Sequence, residues 1–158
     1  IIVNQARQQI DNFNITTDII VGFPGETEQE WQGSFEFIKQ IGFGHIHIFT
    51  YSSREGTKAA TLPNQLTNEI KKQRSKQLHN LANTMKQQFM SENIGSKQAI
   101  LWEGQKQVLS DDQQLVFGYT PNYLRVARTI STKETIENQI IDVQLESVSD
   151  GYICTSHL

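Results

Sequence analysis

Cysteine and proline are scarce in this chain: one cysteine, Cys154, and three prolines in 158 residues. A single thiol excludes an internal disulfide, and it excludes any metal or iron–sulfur cluster held by cysteines of these residues alone. No apolar run approaches the roughly 18 residues needed to span a bilayer, and no signal-peptide pattern is present, so we expect no membrane partner. Excess positive charge is also missing. Fourteen Lys and Arg stand against seventeen Asp and Glu, a net charge of −3, so charge alone points to neither nucleic acid nor a membrane surface. Together these absences fit a cytoplasmic setting. The chain also lacks an initial methionine. Its opening residues read as the middle of a helix, so we expect a piece of a longer protein, with room for one large or two small domains.

The most informative stretch is Thr16 to Glu26, TTDIIVGFPGE. Its β-branched run reads as a strand buried on both faces, as in a parallel sheet covered by helices. Gly22 and Gly25 allow a sharp turn and close approach of a ligand, and Pro24 stiffens it. Thr27 and Glu30 have the spacing of a capping box that opens a helix. That helix carries Trp31, Phe35, Ile38 and Ile41 on one face and stops at Gly42. His45 to Thr50, HIHIFT, is a second strand, and strand, helix and strand with short connections predict a right-handed βαβ unit with parallel strands. Before it, Ile2, Val3, Ala6 and Ile10 have helical spacing, and Asp11 to Asn14 form a loop. After it, Tyr51 to Pro63 reads as loop and Thr67 to Glu92 as a long helix, with apolar Ile70, Leu78, Leu81, Met85 and Phe89.

From Ser96 the pattern changes to short alternating runs: Ala99 to Trp102, Gln107 to Leu109, Leu115 to Phe117, Tyr123 to Val126, Ile140 to Leu145 and Tyr152 to Thr155. Turn signals separate them, and a small antiparallel barrel or sandwich is expected. The fold class is therefore α/β followed by a small all-β barrel. We place the domains at residues 1–95 and 96–158.

In parallel α/β folds ligands bind beyond the carboxyl ends of the strands. The turn Gly22 to Glu26 and the loop Tyr51 to Thr57 should share that rim, whereas Asp18 and His45 should sit at the opposite end in structural roles. Pattern alone leaves GFPGE open between a ligand-binding turn and a tight, well-capped connection. Arg54 could grip a carboxylate or phosphate as a fork, or be a solvated loop cation. Ser52 and Thr57 could donate hydroxyl bonds or close turns. His47 reads as a core imidazole, since no second metal ligand stands at suitable spacing, and Cys154 as a buried, inert thiol. In the second module Tyr119, Asn122, Tyr123, Arg125 and Arg128 gather around one turn and the strand leaving it. Aromatics among arginines can stack on unpaired bases and hold phosphates. They can equally be packed tyrosines with exposed arginines, and because residues 97–158 carry five Lys and Arg against eight Asp and Glu, any RNA contact must be local.

These residues resemble the C-terminal part of a radical S-adenosylmethionine methylthiotransferase. TDIIVGFPGETEQEW, residues 17–31, is similar to the family's fifth barrel strand and following helix. HIHIFTYSSREGTKAA, residues 45–60, resembles its sixth strand and Arg-x-Gly-Thr-x-Ala loop. The module from Ser96 resembles the TRAM domain, a small β-barrel that binds tRNA. GYTPNYLRV, residues 118–126, looks most like the branch acting on N6-threonylcarbamoyladenosine beside the anticodon (the MtaB type). The isopentenyladenosine-directed and ribosomal-protein branches are alternatives, as is a non-catalytic RNA-binding protein.

The resemblance implies a partial (β/α) barrel and two 4Fe-4S clusters in the intact protein. One cluster would cleave S-adenosylmethionine to a radical that takes hydrogen from C2 of the adenine, where a methylthio group is installed; the second is associated with delivery of sulfur from an unknown donor. It implies that Ile20, Gly22, Phe23, Pro24, Gly25 and Glu26 line the nucleoside side of the S-adenosylmethionine pocket. Phe49, Thr50 and Tyr51 would border the adenine, with Arg54 and Thr57 facing the substrate or the polar end of the cofactor. Tyr119, Asn122, Tyr123, Arg125 and Arg128 would meet the tRNA anticodon arm. The cluster cysteines are absent from this chain, so no catalytic residue or metal ligand is expected in it and the fragment alone should be inactive. Half a barrel also leaves strand edges open, which should favour association.

Overall fold

The computed structural model describes residues 2–155. It is a mixed α/β structure that divides into two compact units. One comprises residues up to Ala6 with Asn14–Lys86; the other comprises Arg7–Phe13 with residues from Gln87 onward.

In the first unit, β1 (Thr16–Val21) and β2 (His45–Thr50) pair in parallel, with Thr16 opposite His45 and Val21 opposite Thr50. Between them lies α2 (Glu28–Ile41), preceded by α1 (Ile2–Gln9), whose turns up to Ala6 belong to this unit. The capping box forms as its spacing predicts. Thr27 Oγ1 accepts from the Glu30 amide at 3.2 Å, and the Glu30 carboxylate accepts from the Thr27 amide at 2.8 Å. Gly42 ends the helix in the left-handed region at φ 66°.

The sheet is covered on one face only. Val21 and Ile46 pack with Trp31 and Ile38 of α2 and with Leu78 and Met85 of α3 (Asn68–Glu92). The expectation of a strand buried on both faces is therefore corrected: β1 alternates in exposure, and Ile20 is 56% exposed. Because neighbouring residues of a parallel pair point to the same side, Thr16, Asp18 and Ile20 share the uncovered face with His45, His47 and Phe49. The reading of His47 as a core imidazole fails for the same reason; it is exposed, its ring 4.5 Å from that of His45.

The second unit is a six-stranded sheet in the order β6-β3-β4-β5-β8-β7. Here β3 is Lys97–Val108, β4 Gln113–Tyr119, β5 Arg125–Ser131, β6 Ile140–Gln144, β7 Ser147–Ser149 and β8 Tyr152–Cys154. The end strands β6 and β7 are joined by Leu145 and Glu146 alone, so the sheet curls until its edges lie within about 11 Å of each other along the chain. A core of Ile100, Trp102, Val116, Val126, Val143 and Ile153 fills the interior, and Met90 packs into it.

Two strand boundaries differ from the sequence reading. The segments at Ala99 and Gln107 form one long strand, because a register shift between Trp102 and Lys106 absorbs the polar interruption without breaking the pairing with β4. Tyr123 lies in a turn at φ 65°, so the strand begins at Arg125 and runs to Ser131. Cys154 is half-buried rather than enclosed.

Candidate functional site

The parallel pairing brings both bends to one rim. Tyr51 N–H donates to the Val21 carbonyl at 2.9 Å, so the loop after β2 starts beside the turn after β1. Across that seam the Phe23 and Tyr51 rings meet edge to face, centroids 5.3 Å apart. Phe23 remains 42% exposed, whereas Pro24 is buried. Gly22 and Gly25 adopt φ of 74° and 85°, left-handed conformations that the turn requires. The Gly25 amide is held by the Asn64 carbonyl at 3.0 Å.

Beneath the turn lies a charge clasp. Glu26 Oε2 accepts from the Gly22 amide at 3.1 Å and from Arg74 Nη1 at 2.6 Å. The same Arg74 nitrogen donates to the Glu26 carbonyl, and Nη2 pairs with Glu28 at 3.0 Å. Arg74 is 4% exposed and lies 5.6 Å from the Trp31 ring, whose indole N–H donates to Gln77. Hydrogen bonds from Gln32 and Arg74 hold the Glu28 carboxyl below its ordinary range, and bonds from Thr27 do so for Glu30. One turn earlier on α3, the Lys71 stem crosses Gly22 where a side chain there would begin: a Cβ on Gly22 would meet Lys71 Cγ at 2.6 Å. The Lys71 ammonium stands 5.1 Å from the centre of the Tyr51 ring.

Of the residues read as lining a nucleoside, Gly22, Phe23, Pro24, Gly25 and Tyr51 come together at this rim. Ile20 and Phe49 are cross-strand partners on the uncovered face below it, 56% and 54% exposed. Thr50 pairs with Val21 at the strand end. Glu26 is turned inward to the clasp. Arg54 is exposed in its loop, where its carbonyl accepts the Thr57 hydroxyl at 2.8 Å. Thr57 caps a short 3-10 turn, Lys58–Thr61, its oxygen also accepting from Ala60, so its hydroxyl closes a local turn. Arg74 and Lys71 were not singled out from sequence. The available signal was an interruption: Ile70, Arg74 and Leu78 are spaced four apart on one helix face, with a cation at the middle, core position.

In the second unit, Tyr119 and Arg125 are cross-strand partners on the outer face. Arg125 lies over the Phe117 ring at 4.4 Å and donates to Gln105 Oε1 at 2.8 Å. Tyr123 is 81% exposed, its ring 6.4 Å from that of Tyr119. Arg128 pairs with Val116 on the opposite side of the strands and is only 7% exposed. The Asn122 amide donates to the Asn12 carbonyl at 2.9 Å and to Asn93 Oδ1 at 3.2 Å, tying a loop and a helix end together.

The glycine turn and the aromatic pair thus lie beyond the carboxyl ends of two parallel strands, the position at which α/β folds bind ligands. No family profile matches the chain, but individual curated proteins do. Over 124 residues, 78% of this chain, it is 33% identical to the threonylcarbamoyladenosine tRNA methylthiotransferase MtaB of Bacillus subtilis. Over 119 residues, 75% of the chain, it is 37% identical to a tRNA-2-methylthio-N(6)-dimethylallyladenosine synthase of Oceanobacillus iheyensis. A synthase with the same name from Lachnoclostridium phytofermentans is 32% identical over 151 residues, 96% of the chain. The homologues of this chain are thus tRNA methylthiotransferases, aligned across most of its length. The aligned regions make up 27%, 22% and 32% of those proteins.

Proposed function

We propose that this chain is the C-terminal part of a radical S-adenosylmethionine tRNA methylthiotransferase that acts on N6-threonylcarbamoyladenosine beside the anticodon. Residues 1–95 supply the last strands of the catalytic barrel and residues 96–158 a TRAM-like module for the anticodon arm. The observation that carries this reading is the shared rim: two parallel strands present a glycine turn and a loop side by side, in a chain whose homologues modify tRNA.

The residues present fit the nucleoside half of the cofactor. The Gly22 and Gly25 backbone leaves room for close approach, while Phe23, Ile20 and Phe49 offer exposed flat and apolar surface suited to an adenine, with the half-buried Tyr51 ring beside Phe23. They do not fit the clusters, because one cysteine cannot ligate them. The clusters and S-adenosylmethionine supply the radical chemistry in the intact enzyme. This chain's part is to hold the nucleoside, through the turn braced by Glu26 and Arg74, and to keep water from that face. Tyr123 and Tyr119 offer stacking surfaces for bases, with Arg125 beside them. Such an enzyme works in the cytoplasm, where its tRNA is.

A second reading, the dimethylallyladenosine-directed branch, is favoured by the names of the Oceanobacillus and Lachnoclostridium relatives. Deleting the parent gene and analysing tRNA nucleosides by mass spectrometry separates the two. Loss of 2-methylthio-N6-threonylcarbamoyladenosine is the expected result. Loss of the 2-methylthio-isopentenyl nucleoside instead would move the enzyme to the second branch, and loss of neither would contradict both.

A further inference from the structure

We propose that Lys71 anchors an oxyanion, a carboxylate or a phosphate, at the rim beside the Phe23–Tyr51 ring pair; the inference rests on reading that rim as a nucleoside shelf. Nothing in the motifs pointed to Lys71, which lies on α3 and reaches the rim only in the folded chain. Three observations assign it this task.

The first is that its stem is fixed. Lys71 Cγ occupies the space that any side chain on Gly22 would claim, 2.6 Å from a Cβ there. The absence of a side chain at Gly22 thus serves the lysine as well as the turn. A half-buried stem held in this way has already lost much of the rotamer freedom that a surface lysine gives up on binding.

Charge accounting gives the second. Glu26 at the turn and Glu28 in the first turn of α2 are both taken by Arg74. Among the described residues Lys71 has no ion-pair partner, and its ammonium meets only the face of Tyr51. The ring orients the cation without neutralising it, leaving N–H donors for an incoming anion.

The third is placement. Tyr51 is both the ring under the ammonium and the half-buried member of the edge-to-face pair whose exposed partner is Phe23. A flat base lying against that pair would bring its attached carboxylate or phosphate within reach of the same lysine. Two sources share this chemistry: the amino-acid carboxylate of an S-adenosyl compound and the backbone phosphate of RNA.

The test uses the whole 158-residue chain and its Lys71→Met and Lys71→Arg variants, with thermal unfolding to verify that each is folded. Calorimetric titrations employ S-adenosylhomocysteine, which carries the carboxylate, 5′-methylthioadenosine, which lacks it, and a short single-stranded RNA. For a carboxylate site, Lys71→Met weakens S-adenosylhomocysteine by about fivefold or more, 5′-methylthioadenosine is unchanged, and Lys71→Arg restores affinity. For a phosphate site the loss falls on the RNA instead. If Lys71→Met changes neither anionic ligand, or if the natural chain binds neither, the inference is overturned. The nucleoside shelf is judged separately by 5′-methylthioadenosine: its binding in every variant keeps the shelf whatever happens to Lys71, and its failure beside a Lys71-dependent RNA contact removes the shelf and leaves the anion site.

Discussion

Arg74 carries more of the rim's architecture than any residue in the motifs themselves. It joins α3 to the turn after β1 through Glu26 and to the first turn of α2 through Glu28, with its own side chain 4% exposed. Removing one partner of a buried pair leaves the other charge in a poor environment. We expect Arg74→Met to lower stability by about 2–4 kcal/mol, read as a fall in the urea midpoint at constant slope. A loss below about 0.5 kcal/mol would show that Glu26 is stabilised without it. Sequence reasoning reached Glu26 and missed its partner because the two lie 48 positions apart and nothing local links them. The same limit applies to Asn122, whose amide is committed to Asn12, 110 positions away. By contrast the Thr27–Glu30 box was fully legible, since both halves lie within one turn.

At the scale of elements, β1, α2 and β2 were readable because each is announced locally, by β-branched runs, a cap and a stop glycine. Exposure was not readable, since an apolar run does not say whether one or two layers cover it. The two-stranded sheet leaves Ile20, Phe49, His45 and His47 on an open face, unusual for parallel strands. Within it, burial, His47 and Lys86 hold His45 below its ordinary value of 6.5. The unfolded chain therefore takes up this proton at higher pH than the folded one, so the group disfavours folding as pH falls below about 6.5 and is neutral in effect above it. Glu28 and Glu30, depressed below 4.5, stabilise the fold above that value and lose their contribution as pH falls through their folded range. The urea midpoint should therefore decline in two stages on acidification, and His45→Gln should flatten the upper one. An unaltered upper stage in that variant would assign it to another group.

The molecule as a whole joins an α/β unit to a curled six-stranded sheet, in line with the shift at Ser96 from helical to alternating periodicity. What the alternation could not reveal is the route of closure. Strand β7 is only Ser147–Ser149, too short to announce itself, yet with β8 it extends the sheet beyond β5 and ends it at the edge opposite β6. In the other unit the shelf proposed for a nucleoside lies at the ends of β1 and β2. Its most direct test is a nuclear magnetic resonance titration of the glycine-labelled chain with S-adenosylhomocysteine. The account expects the Gly22 and Gly25 amides to shift in a saturable way while Gly104, Gly118 and Gly151 of the second unit stay in place. Saturable shifts confined to the second unit, or none at either turn glycine, would contradict it.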